Sequence, residues 1–339
     1  MTIQPLSNRP REISVTEAIE PAYDRVKRLL FQPFDFSKWI IIGFCAWLAG
    51  LGESGGSGGY SGFNGNNGQG AHPGDQLRHW YHQASDYVLA NLDWIIPLAG
   101  FLVLLLLAIW LLVLWLSSRG KFMFLHCVAL DTAEVDVPWN KYAGEANSLF
   151  RLRIVLCVAG LVLCLPLVVF LAMDIIRMVL QNEADVAGVL LAVGLGLVLI
   201  FLSIVFALIH KFLGDFVVPI QFLRGGTCLA AGREFWVLLS ANPGKFTVYI
   251  LFRIVLGMAI QAIILATIIV TCCIACCLLV IPFVGTVLLL PVLIFKRAYP
   301  LYYLAQYGPQ YDVFPKPAAP PTVPTPPEAP MPPLSPVQP

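Results

Sequence analysis

The chain has 339 residues, of which 58% are hydrophobic and 12% are charged. Soluble domains carry about 25% charged residues, so this chain is too apolar to bury its hydrophobic side chains in a water-soluble core. The formal net charge of +1 argues against the concentrated basic surface that nucleic-acid binding requires. The composition therefore predicts an integral membrane protein whose surroundings are the lipid bilayer, with no nucleic-acid partner.

Residues 1–32 are predicted to form a cytoplasmic N-terminal segment. They contain no apolar run with a cleavage site and so differ from a secretory signal peptide. The stretch from Ser14 to Glu17 fits a capping box, and apolar residues then recur at helical spacing as far as Leu30. Pro21 either kinks this helix or begins it. The pattern is typical of an amphipathic helix that lies in the membrane interface.

Six segments are candidates for membrane-spanning helices, each of which needs about 20 apolar residues. The apolar stretch 253–295 is too long for one helix, and the turn signal Pro282-Phe283-Val284-Gly285 divides it into a hairpin. The other four candidates are residues 39–51 (beginning deeper, near Phe34), 94–116, 152–173 and 186–209. The predicted fold class is thus all-α integral membrane, a six-span helical bundle over residues 33–308.

Lysine and arginine are concentrated in alternate connections between these segments. The opposite connections hold only Arg78 and Arg177, beside several acidic residues. Because positive charge stays on the cytoplasmic side, we expect a multi-pass protein of the cell membrane with both termini in the cytoplasm. The basic residues that set this orientation are Arg9, Arg11, Arg25, Lys27, Arg28, Lys38, Arg119, Lys121, Lys141, Arg151, Lys211, Arg224, Arg233, Lys245, Lys296 and Arg297.

Two segments have the composition of flexible chain. The outer loop 53–74 is rich in glycine, serine and asparagine, which predicts a flexible linker. Residues 309–339 are predicted to form a disordered cytoplasmic tail, because proline dominates from residue 315 onwards.

An internal repeat is suggested by two similar span entrances, FRLRIVL at 150–156 and FRIVL at 252–256. Each follows an amphipathic stretch, as the first span follows the N-terminal helix. This predicts three units, each an interfacial helix followed by a two-span hairpin. Chance similarity between apolar sequences is the alternative.

Three stretches carry a resemblance to known proteins: LFQPFDFSKW at 30–39, GDFVVP at 214–219 with RIVL at 253–256, and PFVG at 282–285 leading to YYLAQYG at 302–308. Together they resemble an uncharacterised family of prokaryotic multi-span membrane proteins of unknown function. They are also distantly similar to the membrane domain of some glycerophosphodiester phosphodiesterases. The resemblance covers residues 14–308 and implies a membrane fold with no established reaction. The soluble phosphodiesterase domain has no counterpart here, so hydrolase activity is not implied.

Arg253, Gly257 and Gln261 fall at i, i+4 and i+8, on one face of a predicted span. Ionisable residues within spans often serve transport, so Arg253 and Gln261 are candidates for an intramembrane polar face. The alternative is that Arg253, like Arg153, is an anchor that snorkels to lipid headgroups.

Gly188, Ala192 and Gly196 share the same spacing on the fourth span. Small residues in this pattern let a second helix approach closely, which predicts a helix-packing face.

Two groups of residues have the chemistry of metal ligands. His79, His82 and Asp86 lie at helical spacing in the outer segment, but we interpret them as the solvated polar face of an interfacial helix. The cluster CCIACC at 272–277 lacks basic neighbours that would activate its thiols, so we interpret it as packing. We therefore predict no bound metal and no cofactor.

The sequence contains no Gly-rich phosphate loop, Ser/His/Asp set or paired-carboxylate motif. We therefore predict a non-enzymatic protein that organises or accompanies other membrane or envelope proteins through its interfacial helices and proline-rich tail. The alternative is a transporter or permease for a small or lipidic molecule. A membrane-embedded enzyme is a third possibility, which would need polar residues converging at one membrane depth.

Overall fold

The computed structural model describes residues 13–51, 91–181, 186–270 and 281–314, and all regular structure in these ranges is helical. Several predicted features lie outside the described residues: the outer loop, the group of His79, His82 and Asp86, the cysteines at 272–277, and the tail from residue 315. The helices are α1 (Ile19–Phe31), α2 (Phe36–Gly50), α3 (Leu92–Leu130), α4 (Asp136–Lys141), α5 (Ala143–Gln181), α6 (Val186–Phe212), α7 (Val218–Arg224), α8 (Cys228–Ala241), α9 (Pro243–Val270), α10 (Pro282–Leu288) and α11 (Leu290–Ala305).

Four helical segments are long and apolar enough to cross a membrane: Asp93–Leu130, Ala143–Met178, Val186–Arg224 and Pro243–Val270. The most apolar stretch of each is not buried inside the protein, so these side chains face outwards. An outward apolar surface of this extent is suited to contact with lipid. Four of the predicted spans are therefore confirmed as apolar helices of sufficient length, whereas α2 has only 15 residues.

The buried core gathers at one end of the four long helices, the end that contains Leu130 of α3. Here α2 runs antiparallel to the last part of α3. Lys38 and Asp131 form an ion pair at 2.7 Å at one end of this contact, and Ser117 Oγ donates to the carbonyl of Ala49 at 3.0 Å at the other. Thus α2 lies beside the polar end of α3 and not beside its apolar stretch.

Gly120 sets how closely α2 and α3 approach. A Cβ atom at this position would lie 2.5 Å from the backbone nitrogen of Ala49 and 2.5 Å from the carbonyl carbon of Leu48. Only glycine permits such backbone contact, because the obstructing atoms cannot rotate away.

The amphipathic helix α1 is present, and its apolar face is buried in the core, with Ala22, Leu29 and Leu30 fully covered. Arg25 shares this face. Its Nε donates to the carbonyl of Val128 at 2.9 Å and its Nη2 to that of Ala129 at 2.8 Å. A cation on the last carbonyls of a helix satisfies groups that otherwise lack partners. Arg25 therefore joins α1 to the end of α3, although burial lowers its pKa.

The predicted capping box at Ser14–Glu17 does not form. The helix begins at Ile19, and Ala18 occupies the N-cap position without a side-chain hydrogen bond. The Ser14 backbone instead pairs with the Gln306 side chain: the amide donates to Oε1 at 2.8 Å, and the carbonyl accepts from Nε2 at 2.9 Å. The segment before α1 is thus tied to the end of α11.

The packed protein also extends further than the predicted start of the tail at residue 309. Tyr311 and Val313 are buried, and the ring of Phe314 stacks on Tyr302 with centroids 4.1 Å apart. Residues 309–314 are therefore part of the packed protein, because the ring of Phe314 contacts Arg25 of α1 and Tyr302 of α11. The disordered tail stays a prediction for residues 315–339.

Candidate functional site: a basic pocket

A π-helical turn at Leu213–Val217 joins α6 to α7. Such turns insert an extra residue into a helix and frequently occur at functional sites. This turn carries the buried carboxylate of Asp215, whose Oδ2 accepts a hydrogen bond from the Tyr249 hydroxyl at 3.0 Å. The carbonyl of Gly214 accepts a second bond from Arg297 Nη1 at 2.8 Å. The turn therefore presents one acid and one carbonyl to α9 and α11.

Arg253 of α9 lies between this turn and α11. Its Nε is 3.8 Å from Asp215 Oδ2, and its Nη2 donates to the carbonyl of Lys296 at 2.8 Å. The guanidinium also stands 5.7 Å from the ring centroid of Tyr299, within the range of a cation–π contact. With its side chain 12% exposed, Arg253 reaches protein groups. The snorkelling hypothesis, which directs it to lipid headgroups, does not describe this geometry.

Lys211 supplies a second cation to the same carboxylate. Its Nζ lies 3.6 Å from Asp215 Oδ2, one helical turn away, and its side chain is 48% exposed. One carboxylate is thus shared by a surface lysine, a nearly buried arginine and a tyrosine hydroxyl.

These residues border a cavity of about 460 Å³. The described residues contribute five Lys or Arg side chains and one carboxylate to its lining, a net formal charge of +4 before His210 is considered. Lys121, on α3, is almost completely buried. We call this cavity the basic pocket; its ionisable lining residues are Lys121, His210, Lys211, Asp215, Arg253, Lys296 and Arg297.

A related contact joins the first two long helices. Arg153 of α5 is fully buried and donates to the hydroxyls of Ser117 and Ser118 on α3, at 3.2 and 3.3 Å. Like Arg253, it stands where an apolar stretch begins and bonds the polar end of the preceding long helix. Both arginines therefore mark the same end of the bundle.

The structure separates the two residues of the predicted polar face. Arg253 lines the basic pocket, whereas Gln261 is exposed further along α9 and is absent from the lining. Tertiary packing, and not the shared helix face, determines which polar group enters the cavity.

The predicted packing face on α6 is divided in a similar way. A Cβ atom at Gly188 would lie 3.1 Å from Met178 Cε of α5, whereas one at Gly196 would meet no atom within 4 Å. Ala192, between them, is half-buried.

Within the described ranges, no three His, Cys, Asp or Glu side chains are grouped so as to hold a metal ion. Cys45 and Cys127 meet in the core with their sulfurs 4.0 Å apart. Burial raises the pKa of Cys228 to about 12, which keeps this thiol protonated and inert.

In the sequence, Lys121, Lys296 and Arg297 indicate orientation only, and their place in the pocket was not predicted. The adjacent pair Lys296-Arg297 was the available signal. Charged side chains beside a long apolar stretch are energetically unfavourable in a membrane and therefore often belong to a functional site. Lys121 carried no comparable signal, since it lies in a run with Arg119 that fits an ordinary connection.

The fold and the pocket together define an α-helical protein suited to a membrane, with a cationic cavity at one end of its apolar helices. The chain belongs to a family of unknown function, DUF7544, which matches residues 13–305. The match includes every residue that lines the basic pocket. No curated protein and no solved structure matches the chain.

Proposed function

We propose that this protein is a non-enzymatic protein of the cell membrane that organises or accompanies other envelope components, with the basic pocket as its binding site. The pocket is the observation that carries this proposal. Its two arginines are held by hydrogen bonds to backbone carbonyls: Arg253 donates to the carbonyl of Lys296, and Arg297 donates to the carbonyl of Gly214. Groups held in this way are suited to bind and orient a ligand, and Asp215 Oδ2 accepts a hydrogen bond from the Tyr249 hydroxyl.

We further propose six passages through the membrane. The N-terminal segment and the end of α11 meet at one end of the long helices, through the Ser14–Gln306 bonds. The chain begins α3 after Asn91 and ends α9 at Val270, both at the other end. Asn91 lies roughly 39 Å from Ser117 at 1.5 Å per helical residue. The four long helices thus begin and end at the side opposite the described N-terminal segment and the end of α11, which supports our proposal of one further passage on either side of them.

The end that holds the basic pocket faces the cytoplasm in this proposal, together with both termini. Support comes from the positive-inside rule, since the five cations of the pocket belong to the connections and the span end that set the predicted orientation.

Two of the three proposed repeat units share a structural feature at the start of their first long helix. Arg153 and Arg253 occupy matching places in α5 and α9. Arg153 donates a hydrogen bond to Ser117 of the preceding long helix, and Arg253 forms an ion pair with Asp215 of the preceding long helical segment. The distant similarity to the membrane domain of glycerophosphodiester phosphodiesterases stays a resemblance in packing motifs, without their hydrolysis.

A transporter or permease is the second candidate, favoured by a polar cavity where lipid-facing helices end. Polar cavities beside spans are a common feature of substrate pathways. A transporter requires substrate flux that depends on Arg253, whereas an organising protein requires stable partners.

The experiment is affinity purification of the tagged full chain from native membranes with quantitative mass spectrometry. We expect specific membrane or envelope proteins to co-purify with the full chain and to be lost when residues 315–339 are deleted. A variant in which this segment is replaced by a shuffled sequence of the same composition and length is the control. It retains the partners only if the composition of the segment is sufficient for binding. If no partner were enriched, and if the protein carried a solute or lipid flux that Arg253→Gln abolishes, the organising role would be wrong and the transporter would be favoured.

A further inference from the structure

We propose that the basic pocket is a binding site for a phosphate-bearing anion, either a lipid headgroup or a soluble phosphate compound. This inference deepens the proposed function by naming the chemistry of the ligand. Neither the family assignment nor the sequence motifs suggest it.

The charge balance is the first step. The cavity is surrounded by five cationic side chains, those of Lys121, Lys211, Arg253, Lys296 and Arg297. Asp215 is the only carboxylate that the described part of the chain contributes to its lining. A cleft lined mainly by charges of one sign raises the local concentration of ligands of the opposite sign. A ligand with more than one negative oxygen therefore suits this lining better than a neutral ligand does.

The second step is that the cations are held in place before a ligand arrives. Arg253 is fixed by Asp215 and by the carbonyl of Lys296, and Arg297 by the carbonyl of Gly214. Side chains that are already ordered lose less entropy on binding, so the contacts they make contribute more to affinity. Arginine forks and lysine ammonium groups are also the side chains that bind phosphate best.

The volume of the basic pocket also suits such a ligand. The cavity of about 460 Å³ falls in the usual range for small-molecule sites, roughly 300–1,000 Å³. On α2 it is lined by the small residues Ala46, Ala49 and Gly50. Both a glycerophosphate headgroup and a soluble phosphate compound match this size, and they differ in whether acyl chains lie along the helices.

The test uses the full chain in two settings and follows its thermal unfolding midpoint. In nanodiscs of phosphatidylcholine alone, pyrophosphate is titrated against sodium chloride of equal ionic strength. In a zwitterionic detergent, dihexanoyl phosphatidylglycerol is titrated against dihexanoyl phosphatidylcholine. Saturable stabilisation by pyrophosphate identifies a soluble phosphate, and stabilisation by phosphatidylglycerol alone identifies a headgroup. Stabilisation by neither anion beyond its control overturns the inference.

The double variant Lys211→Gln/Lys296→Gln tests whether the anion binds in the basic pocket. It leaves the ion pair between Arg253 and Asp215 in place. We expect its apparent Kd for the stabilising anion to rise about tenfold or more, because two charged contacts are lost. The matched control Arg233→Gln changes an exposed cation on α8 and should leave the Kd unaltered. If the double variant fails to fold, Lys211→Gln alone serves, since its side chain is half exposed.

An unchanged Kd in a folded pocket variant would also overturn the inference. Partner capture from native membranes uses no added phosphate. A chain that keeps its partners but binds no anion would therefore refute this inference alone, and one that binds the anion without partners would refute the organising role alone.

Discussion

Arg253 of α9 and Asp215 of the π-helical turn meet at 3.8 Å in a region where both side chains are almost withdrawn from water. The two residues come from separate long helical segments, and the same guanidinium also bonds the carbonyl of Lys296 on α11. Arg253 therefore joins three parts of the chain, and we expect that removal of either Arg253 or Asp215 destabilises the packing at the pocket end of the protein.

Arg253→Lys should lower stability by about 1–3 kcal/mol, because lysine cannot bond Asp215 and the Lys296 carbonyl from one planar fork. The thermal unfolding midpoint in detergent measures this loss. Arg233→Lys, at an exposed site on α8, is the control and should have no effect. Equal midpoints for Arg253→Lys and the native chain would show that charge alone suffices, as a snorkelling anchor requires.

Asp215→Asn should change stability and anion binding in opposite directions. Loss of the carboxylate leaves Arg253 buried without its counter-charge, which costs about 3 kcal/mol. The same change raises the net positive charge of the basic pocket, so pyrophosphate or phosphatidylglycerol should bind more tightly. Unfolding midpoints with and without the anion separate the two effects.

The control for Asp215→Asn is Glu234→Gln, which breaks the Arg224–Glu234 surface ion pair, worth about 0–1 kcal/mol. If Asp215→Asn weakened anion binding in the folded protein, the carboxylate would belong to the ligand site as a partner and not as an opposing charge.

Gly120→Ala should destabilise the protein by about 1–3 kcal/mol through overpacking, because the new Cβ meets backbone atoms of Leu48 and Ala49. Gly194→Ala is the matched control. A Cβ there meets nothing within 4 Å, so it should be neutral or gain about 0.5–1 kcal/mol of helix propensity. Comparable midpoints for the two variants would mean that α2 and α3 are further apart than the structure has them.

Arg25→Gln should lower stability by about 2 kcal/mol, because the carbonyls of Val128 and Ala129 lose their buried donor. Arg28→Gln, on the exposed face of the same helix, controls for charge. Limited proteolysis is the second measurement, and we expect faster cleavage between α3 and α4 in Arg25→Gln only. Identical behaviour of the two variants would rule out Arg25 as the link between α1 and α3.

The four long helices could be predicted from sequence because the length of an apolar run gives the length of the helix, and its apolar composition indicates a lipid environment. The pocket could not, because it depends on contacts between residues far apart in the chain. Arg253 and Gln261 share a helix face, yet only Arg253 has Asp215 within reach. Ser14 shows the same limit, since its local capping pattern gave way to a better partner in Gln306.

The placement of the basic pocket on the cytoplasmic side of a six-passage protein is tested most directly by reporter insertions with side-specific activity. One insertion at Asn242, between α8 and α9, samples the pocket end. Insertions after Gly70 and within residues 182–185 sample the connections that the charge pattern predicts to lie outside. We predict that the Asn242 reporter is active only as a cytoplasmic reporter and that the other two are active only outside. An Asn242 reporter that is active outside would contradict both the orientation and the cytoplasmic pocket.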